Sequence, residues 1–250
     1  MIEFTQADRE LMRDVSELHV HAMPDFFDRP FDEIELARQC RDVGYRAILF
    51  KCHHAINADR AQMIRKIVSG IEVFGGVVLN YPLGGINPEA VDAAIAFGAK
   101  EVWMPTIHSA HHINYFGAPT YPRHTRVGKA TKTREIQGIT IFDDEGEILP
   151  EVYEILNLIA DADIILGTSH LSLKETFALI EAAKKNGVKK ILVTHPEWEL
   201  TNWPIEEQVQ MADKGAILEH CFSACMPLQQ KGKASDPTTM MKAIRRVGVN

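Results

Sequence analysis

Cysteine is scarce: Cys40, Cys52, Cys221 and Cys225 are the four in 250 residues, and no two form a C-x-x-C pair. That spacing argues against a structural thiolate zinc site and does not read as a disulfide framework, so a reducing, cytoplasmic compartment is expected. No run approaches eighteen apolar residues, so no membrane-spanning helix is expected. The amino-terminal MIEFTQADRELMRD is charged and lacks the apolar stretch of a signal peptide. Positive charge is in deficit, with a net charge of −7, which leaves no general basic field for nucleic acid. What remains is a chain 46% apolar and 24% charged, ordinary for a globular protein and long enough to bury a substantial core.

From residue 16 onward, strand and helix patterns alternate. ELHVHAM, YRAILFKCHH, VFGGVVLN, KEVWMPTIH, DIILGTSH, KKILVTHP and AILEHC read as strands, each a short apolar run. Between them lie helical patterns with recognisable ends. FDEIELARQCRDV stops at Gly44, ADRAQMIRKIVS follows Asn57 as a cap and stops at Gly70, and Pro88 follows Asn87 at a helix start. Ser172 stands three residues before Glu175, a capping box. Residues 106–148 interrupt the period. Within them GITIFDDEGEIL reads as a small hairpin with Glu145-Gly146 in its turn. Seven β–α repeats in one chain predict an α/β fold, a TIM-type (β/α)8 barrel spanning residues 1–250 as a single domain. The eighth strand is expected beyond RRVGVN, in a longer chain, or its place is taken by MIEFTQ or a partner subunit. A doubly wound open sheet is the alternative, but no G-x-G-x-x-G follows the first strand.

Histidine is where the sequence concentrates chemistry. His19 and His21 are two residues apart on a strand and so share a face. His53 and His54 close the second strand, and His108 closes the fourth, with His111 and His112 after it. His170, His195 and His220 close the fifth, sixth and seventh. Only His124 of the eleven lies away from a strand end. In a barrel the carboxyl ends of all strands meet at one mouth, where catalytic groups sit. A shared register of imidazoles there predicts a centre for a divalent metal.

The motifs LHVH, GTSH and VTHP resemble those of the amidohydrolase superfamily, in outline over residues 16–250. DIILGTSHLS together with ILVTHPEW resembles an uncharacterised branch of it. The resemblance implies His19, His21, His170 and His195 as metal ligands. It also implies a bridging carboxylated lysine, usually on the fourth strand, and an aspartate on the eighth. The fourth strand here has no lysine; Lys51, at the end of the second, is the candidate for the bridge or for holding a substrate anion.

The chemistry this predicts is metal-dependent hydrolysis of an amide, cyclic amide or ester-like bond in a small, possibly anionic molecule. One or two divalent ions are expected, with zinc the leading candidate and manganese, iron or nickel the others. Lys51, His54, His108 and His220 are the candidates for substrate contact or proton transfer. The basic stretch YPRHTRVGKATKTR is either a solvated loop or a lid that recruits a carboxylate or phosphate. Trp198 and Trp203 either wall the pocket or cover the barrel rim. No nucleic-acid or membrane partner is expected, and a homo-oligomer is compatible with the sequence. Alternative functions are a metal-dependent decarboxylase or isomerase, a phosphoesterase of the histidinol-phosphatase type, and a barrel that binds metal or ligand without catalysis.

Overall fold

The computed structural model describes residues 5–117, 137–226 and 234–249. The chain divides into two compact units. Among the described residues, one unit holds 5–78 and 89–101, and the other holds 79–88, 102–117, 137–226 and 234–249. The basic stretch and His124 lie outside the described residues.

The first unit alternates α1 (Gln6–Leu11), β1 (Ser16–Val20), α2 (Glu33–Val43), β2 (Ala47–Phe50), α3 (Ala58–Ile67), β3 (Glu72–Phe74) and β4 (Gly76–Val78), followed by α4 (Pro88–Ala96). Strands β1, β2 and β3 pair side by side in parallel, with Glu17 opposite Ile48 and Ile48 opposite Val73. Ile48, Phe50 and Val73 are buried against Ala37, Ala61, Ile64 and Val68. Each large apolar side chain buried in this way stabilises the fold by about 1.5–3 kcal/mol. Local signals set the boundaries of α2. The Asp32 carboxylate accepts from the Glu35 amide, the Glu35 side chain reaches back to the Asp32 amide, and Gly44 ends the helix at φ +100°.

The third predicted strand is two strands, split at Gly75. A side chain at Gly75 would come within 2.6 Å of the Asn57 carbonyl oxygen and Oδ1. The Asn57 amide donates to the Phe50 carbonyl (2.9 Å) and its Oδ1 accepts from the Gly76 amide (2.8 Å). Asn57 therefore precedes α3 as expected but spends its side chain on the neighbouring strands rather than on the helix end.

The second unit contains β5 (Glu101–Trp103), α5 (Ala110–Phe116), α6 (Pro150–Ala162), β6 (Ile165–Gly167), α7 (Leu173–Lys185), β7 (Lys190–Thr194), α8 (Ile205–Asp213), β8 (Ile217–Glu219) and α9 (Pro237–Val247). Its strands lie in the order β5-β6-β7-β8. β6 to β8 are parallel, with Leu166 opposite Ile191 and Val193 opposite Leu218. The capping box at Ser172 and Glu175 forms. Residues Phe142 and Ile148 pair antiparallel, with Gly146 at φ +87° in the turn between them, so the small hairpin is present.

The architecture is α/β with parallel sheets, as the alternation predicts. Every predicted strand is found, along with two helices the pattern does not suggest, α1 and α5. No helix among the described residues is long and apolar enough to cross a membrane.

Candidate functional site

Strand ends carry the histidines in both units. In the first, β1 delivers His19 and, one residue past its end, His21; the turn after β2 delivers Lys51, His53 and His54. The His21 Nδ1 lies 2.8 Å from the carbonyl oxygen of Lys51. A carbonyl only accepts, so Nδ1 carries the proton and Nε2 carries the lone pair. The Lys51 ammonium, 2% exposed, lies 3.3 Å from His19 Nε2. The rings of His19 and His21 meet edge to face at 5.4 Å, and His53 stacks on His21 at 4.6 Å. His19, His21 and Lys51, expected together from the sequence, are together.

His19 and His21 keep some exposed surface, yet the atoms packed around them desolvate both rings. Desolvation pushes His19, His21 and His53 well below the ordinary imidazole range. The charges of Lys51 and Arg29 push the same way, and for His21 the Asp25 carboxylate opposes them. Neutral imidazole is the form that binds a metal. Behind this group, His54 stacks on Phe26 (4.0 Å) and places Nδ1 3.6 Å from Asp25 Oδ1. Arg29 donates to Asp25 Oδ2 from Nε and Nη2, both at 2.8 Å. Burial works against the Asp25 charge, but His54 and Arg29 outweigh it and hold the carboxyl at about 2.

In the second unit, His170 lies three residues past β6, and His195 directly follows β7. Their ring centres are 5.1 Å apart, and the Trp198 ring stands about equally close to both, at 5.0 and 4.9 Å. The main chain bends sharply at this point. Ser169 (φ +56°) and His195 (φ +35°) both occupy the left-handed region, which residues with a Cβ seldom adopt. Thr168 and Thr194 fasten the two turns together. The Thr194 amide donates to Thr168 Oγ1 (3.2 Å) and the Ser169 amide to Thr194 Oγ1 (3.1 Å).

Helix α5 adds His112, whose Nδ1 is 3.0 Å from His170 Nδ1 with the rings 13° from parallel. Burial first, then the neighbouring His108 and His111, holds His112 at about 3. His220, directly after β8, places Nδ1 2.9 Å from Glu197 Oε1, in a side chain 4% exposed. With that carboxylate accepting, the Nδ1 of His220 carries a proton. His108 is fully buried, five residues beyond β5, with its ring edge-on to Tyr81 at 5.2 Å.

Trp198 is thus at the histidines, whereas Trp203 is buried and its carbonyl accepts from Gln208 Nε2 (3.1 Å). Asp25, Arg29 and Glu197 belong to these clusters without having been named from the sequence, and His53 and His112, noted there among the strand-end imidazoles, were given no role. Glu197 had a signal, a carboxylate two residues from His195 in HPEW. His112 had its place after the fourth predicted strand as a signal, but nothing local pointed to its pairing with His170.

In class, then, this is a parallel α/β protein whose strand ends gather imidazoles in each of its two units, each group with a buried carboxylate nearby. The chain belongs to a family of unknown function, DUF6282, whose model matches residues 14–219. No curated protein matches the sequence. Several solved structures are similar at low identity. A deoxyribose phosphate aldolase from Aeropyrum pernix is 12% identical, with 85% of this chain and 77% of that one covered and a TM-score of 0.44. A provisionally assigned deoxyribose-phosphate aldolase from Coccidioides immitis is 11% identical, with 84% and 72% covered and a TM-score of 0.46. A D-hydantoinase from Bacillus sp. AR9 is 12% identical with a TM-score of 0.42; 84% of this chain is covered and only 47% of the hydantoinase. These likenesses concern the fold and assign no chemistry.

Proposed function

We propose that the protein is a metal-dependent hydrolase of the amidohydrolase type, acting on an amide, cyclic amide or ester-like bond of a small molecule. The observation that carries this reading is the His19–His21 pair. The Lys51 carbonyl fixes the His21 proton on Nδ1 and turns Nε2 into the donor atom. Metal-binding histidines characteristically hand their other ring N–H to such an acceptor. The donor set therefore fits a divalent cation of the borderline kind, zinc first.

His19 and His21 are the proposed ligands of the first unit, and His170 and His195 those of the second. A bound divalent cation supplies water that ionises near neutral pH and an acid that polarises a carbonyl. The chain supplies the rest. His220, held by Glu197, accepts or returns a proton at Nε2. His54, backed by Asp25, and the buried His108 are the proposed substrate contacts. Lys51 is proposed as a carboxylated lysine or as the holder of a substrate anion. Intact mass separates the two, because carboxylation adds the mass of one carbon dioxide.

The test is elemental analysis of the purified chain, followed by assay of the metal-loaded and chelated protein on amides, cyclic amides and lactones. One or two first-row divalent ions per chain, with hydrolysis lost on chelation, is the expected result. A chain that binds no such ion overturns the proposal.

A further inference from the structure

We infer that His112 is the positioning residue of His170, fixing the tautomer in which His170 presents Nε2. The inference rests on the metal reading for the direction of the hydrogen bond, but the pairing itself comes from geometry. Two Nδ1 atoms 3.0 Å apart can hold one proton between them. Two protons in that gap would clash, and none would set two lone pairs against each other. The two rings must therefore carry opposite tautomers if both are neutral. His112 is 1% exposed and His170 5% exposed, so water does not compete for the pairing as it would at a surface.

A second bond ties the same two residues through the main chain. Ser109 Oγ accepts from the His112 amide (3.0 Å) and donates to the His170 carbonyl (2.8 Å). The His112 ring is thus carried on a short helix whose first turn is fastened to the residue it faces. A ligand histidine needs its lone pair on the atom that meets the ion, so His170 donates from Nδ1 and His112 accepts.

The test begins with the full chain, metal-free and labelled with nitrogen-15. Long-range proton–nitrogen correlation reads which ring nitrogen of His170 is protonated, and His170→Gln assigns the signal. A proton on Nδ1 is expected; a proton on Nε2 overturns the inference. His112→Phe removes the acceptor, whereas His112→Asn offers an amide oxygen in its place. In His112→Phe the His170 proton should redistribute and zinc affinity, measured against a chromophoric chelator, should fall about 10–100-fold. In His112→Asn both should stay near the wild-type values. An unchanged tautomer and affinity in His112→Phe overturns the inference. Should His112→Phe not fold, the wild-type tautomer and His112→Asn still decide. Wild-type protein that binds no zinc refutes the metal reading instead, and the tautomer measured in the metal-free chain still judges the pairing.

Discussion

The two histidine clusters solve one problem with different materials. In the first unit the His21 proton is placed by a main-chain carbonyl, that of Lys51. In the second, the His170 ring is placed by another side chain, His112. A carbonyl stays wherever the backbone runs, so no single side-chain substitution deletes it. A side-chain partner can be deleted, and with it the tautomer. The supports differ too. His21 depends on a strand pair, whereas His112 depends on a seven-residue helix held by the segment that leads into the hairpin. The first cluster should therefore resist perturbation and the second should be tunable.

The largest expected effect is loss of metal. Replacing His19 and His21 together by alanine should remove the zinc that pair holds, and replacing His170 and His195 together should remove the zinc held there, both read by elemental analysis. Retained stoichiometric metal in either double variant removes that pair from the ligand set and leaves the other cluster as the metal centre.

Next comes Glu175, which supports the second cluster from behind. Its Oε1 accepts from Thr140 Oγ1 (2.7 Å) and the Ile141 amide, and its Oε2 from the Ser172 amide and hydroxyl (2.9 and 2.6 Å). The segment it grips reaches Ile139, whose carbonyl accepts from the Ala110 amide (2.7 Å) at the start of α5. Gly138 lets the segment in, since a Cβ there would lie 2.2 Å from Ala110 Cα. Glu175→Ala strands four donors, the buried Ile141 amide among them, and should cost about 3 kcal/mol in urea unfolding. The imidazole signals of His112 and His170 should move while those of His19 and His21 stay. Equal movement in both clusters would refute the contrast between them.

These supports explain which parts of the molecule could be read from the sequence. Strands and long helices follow from local pattern, and Gly44 and Ser172 end or start their helices as their residue types demand. The break at Gly75 depends on Asn57, eighteen positions away, so periodicity does not reveal it. Helix α5, AHHINYF, is short and without an apolar stripe; contacts from residues 138–141 and Ser109 hold it. The site divides in the same way. The spacing of His19 and His21 and the position of Lys51 were legible, because strand geometry fixes them. The His112–His170 contact bridges 58 positions, and no local rule foretells it.

Asp25 gives a pH test of the first cluster. Its carboxyl is held at about 2, against 3.8 ordinarily. A depressed carboxyl stabilises the fold fully above the unfolded value and loses that contribution as pH falls through the folded one. Asp25→Asn should therefore be about 2 kcal/mol less stable than wild type above pH 4, with the gap closing as pH falls toward 2. Both chains should also lose stability below pH 6.5. Folding holds the His19, His21, His53 and His112 rings neutral below their ordinary range, so that contribution fades as pH falls. Comparing urea midpoints of the two chains at each pH isolates Asp25, and a gap independent of pH would contradict the assignment.

The smallest effect separates a helix start backed by a packed core from one at the surface. Both α7 and α1 begin with a capping box, Ser172 with Glu175 and Thr5 with Asp8. Helix α7 buries six residues, among them Leu179 and Ile180, whereas α1 buries none. Loosening the first turn of α7 therefore strains a packed core, and loosening α1 frays a surface helix. Ser172→Ala should cost about 1 kcal/mol, which for a chain of this size lowers the melting temperature by about 2–4 °C. Glu175 keeps its bonds to Thr140 and Ile141 in that variant, so α5 and the His112–His170 contact should be undisturbed. Thr5→Ala should shift the melting temperature by well under 1 °C, since an exposed cap on a helix without buried contacts contributes only local order. Equal shifts for the two caps would mean that helix propensity, and not the buried face, sets the worth of each box.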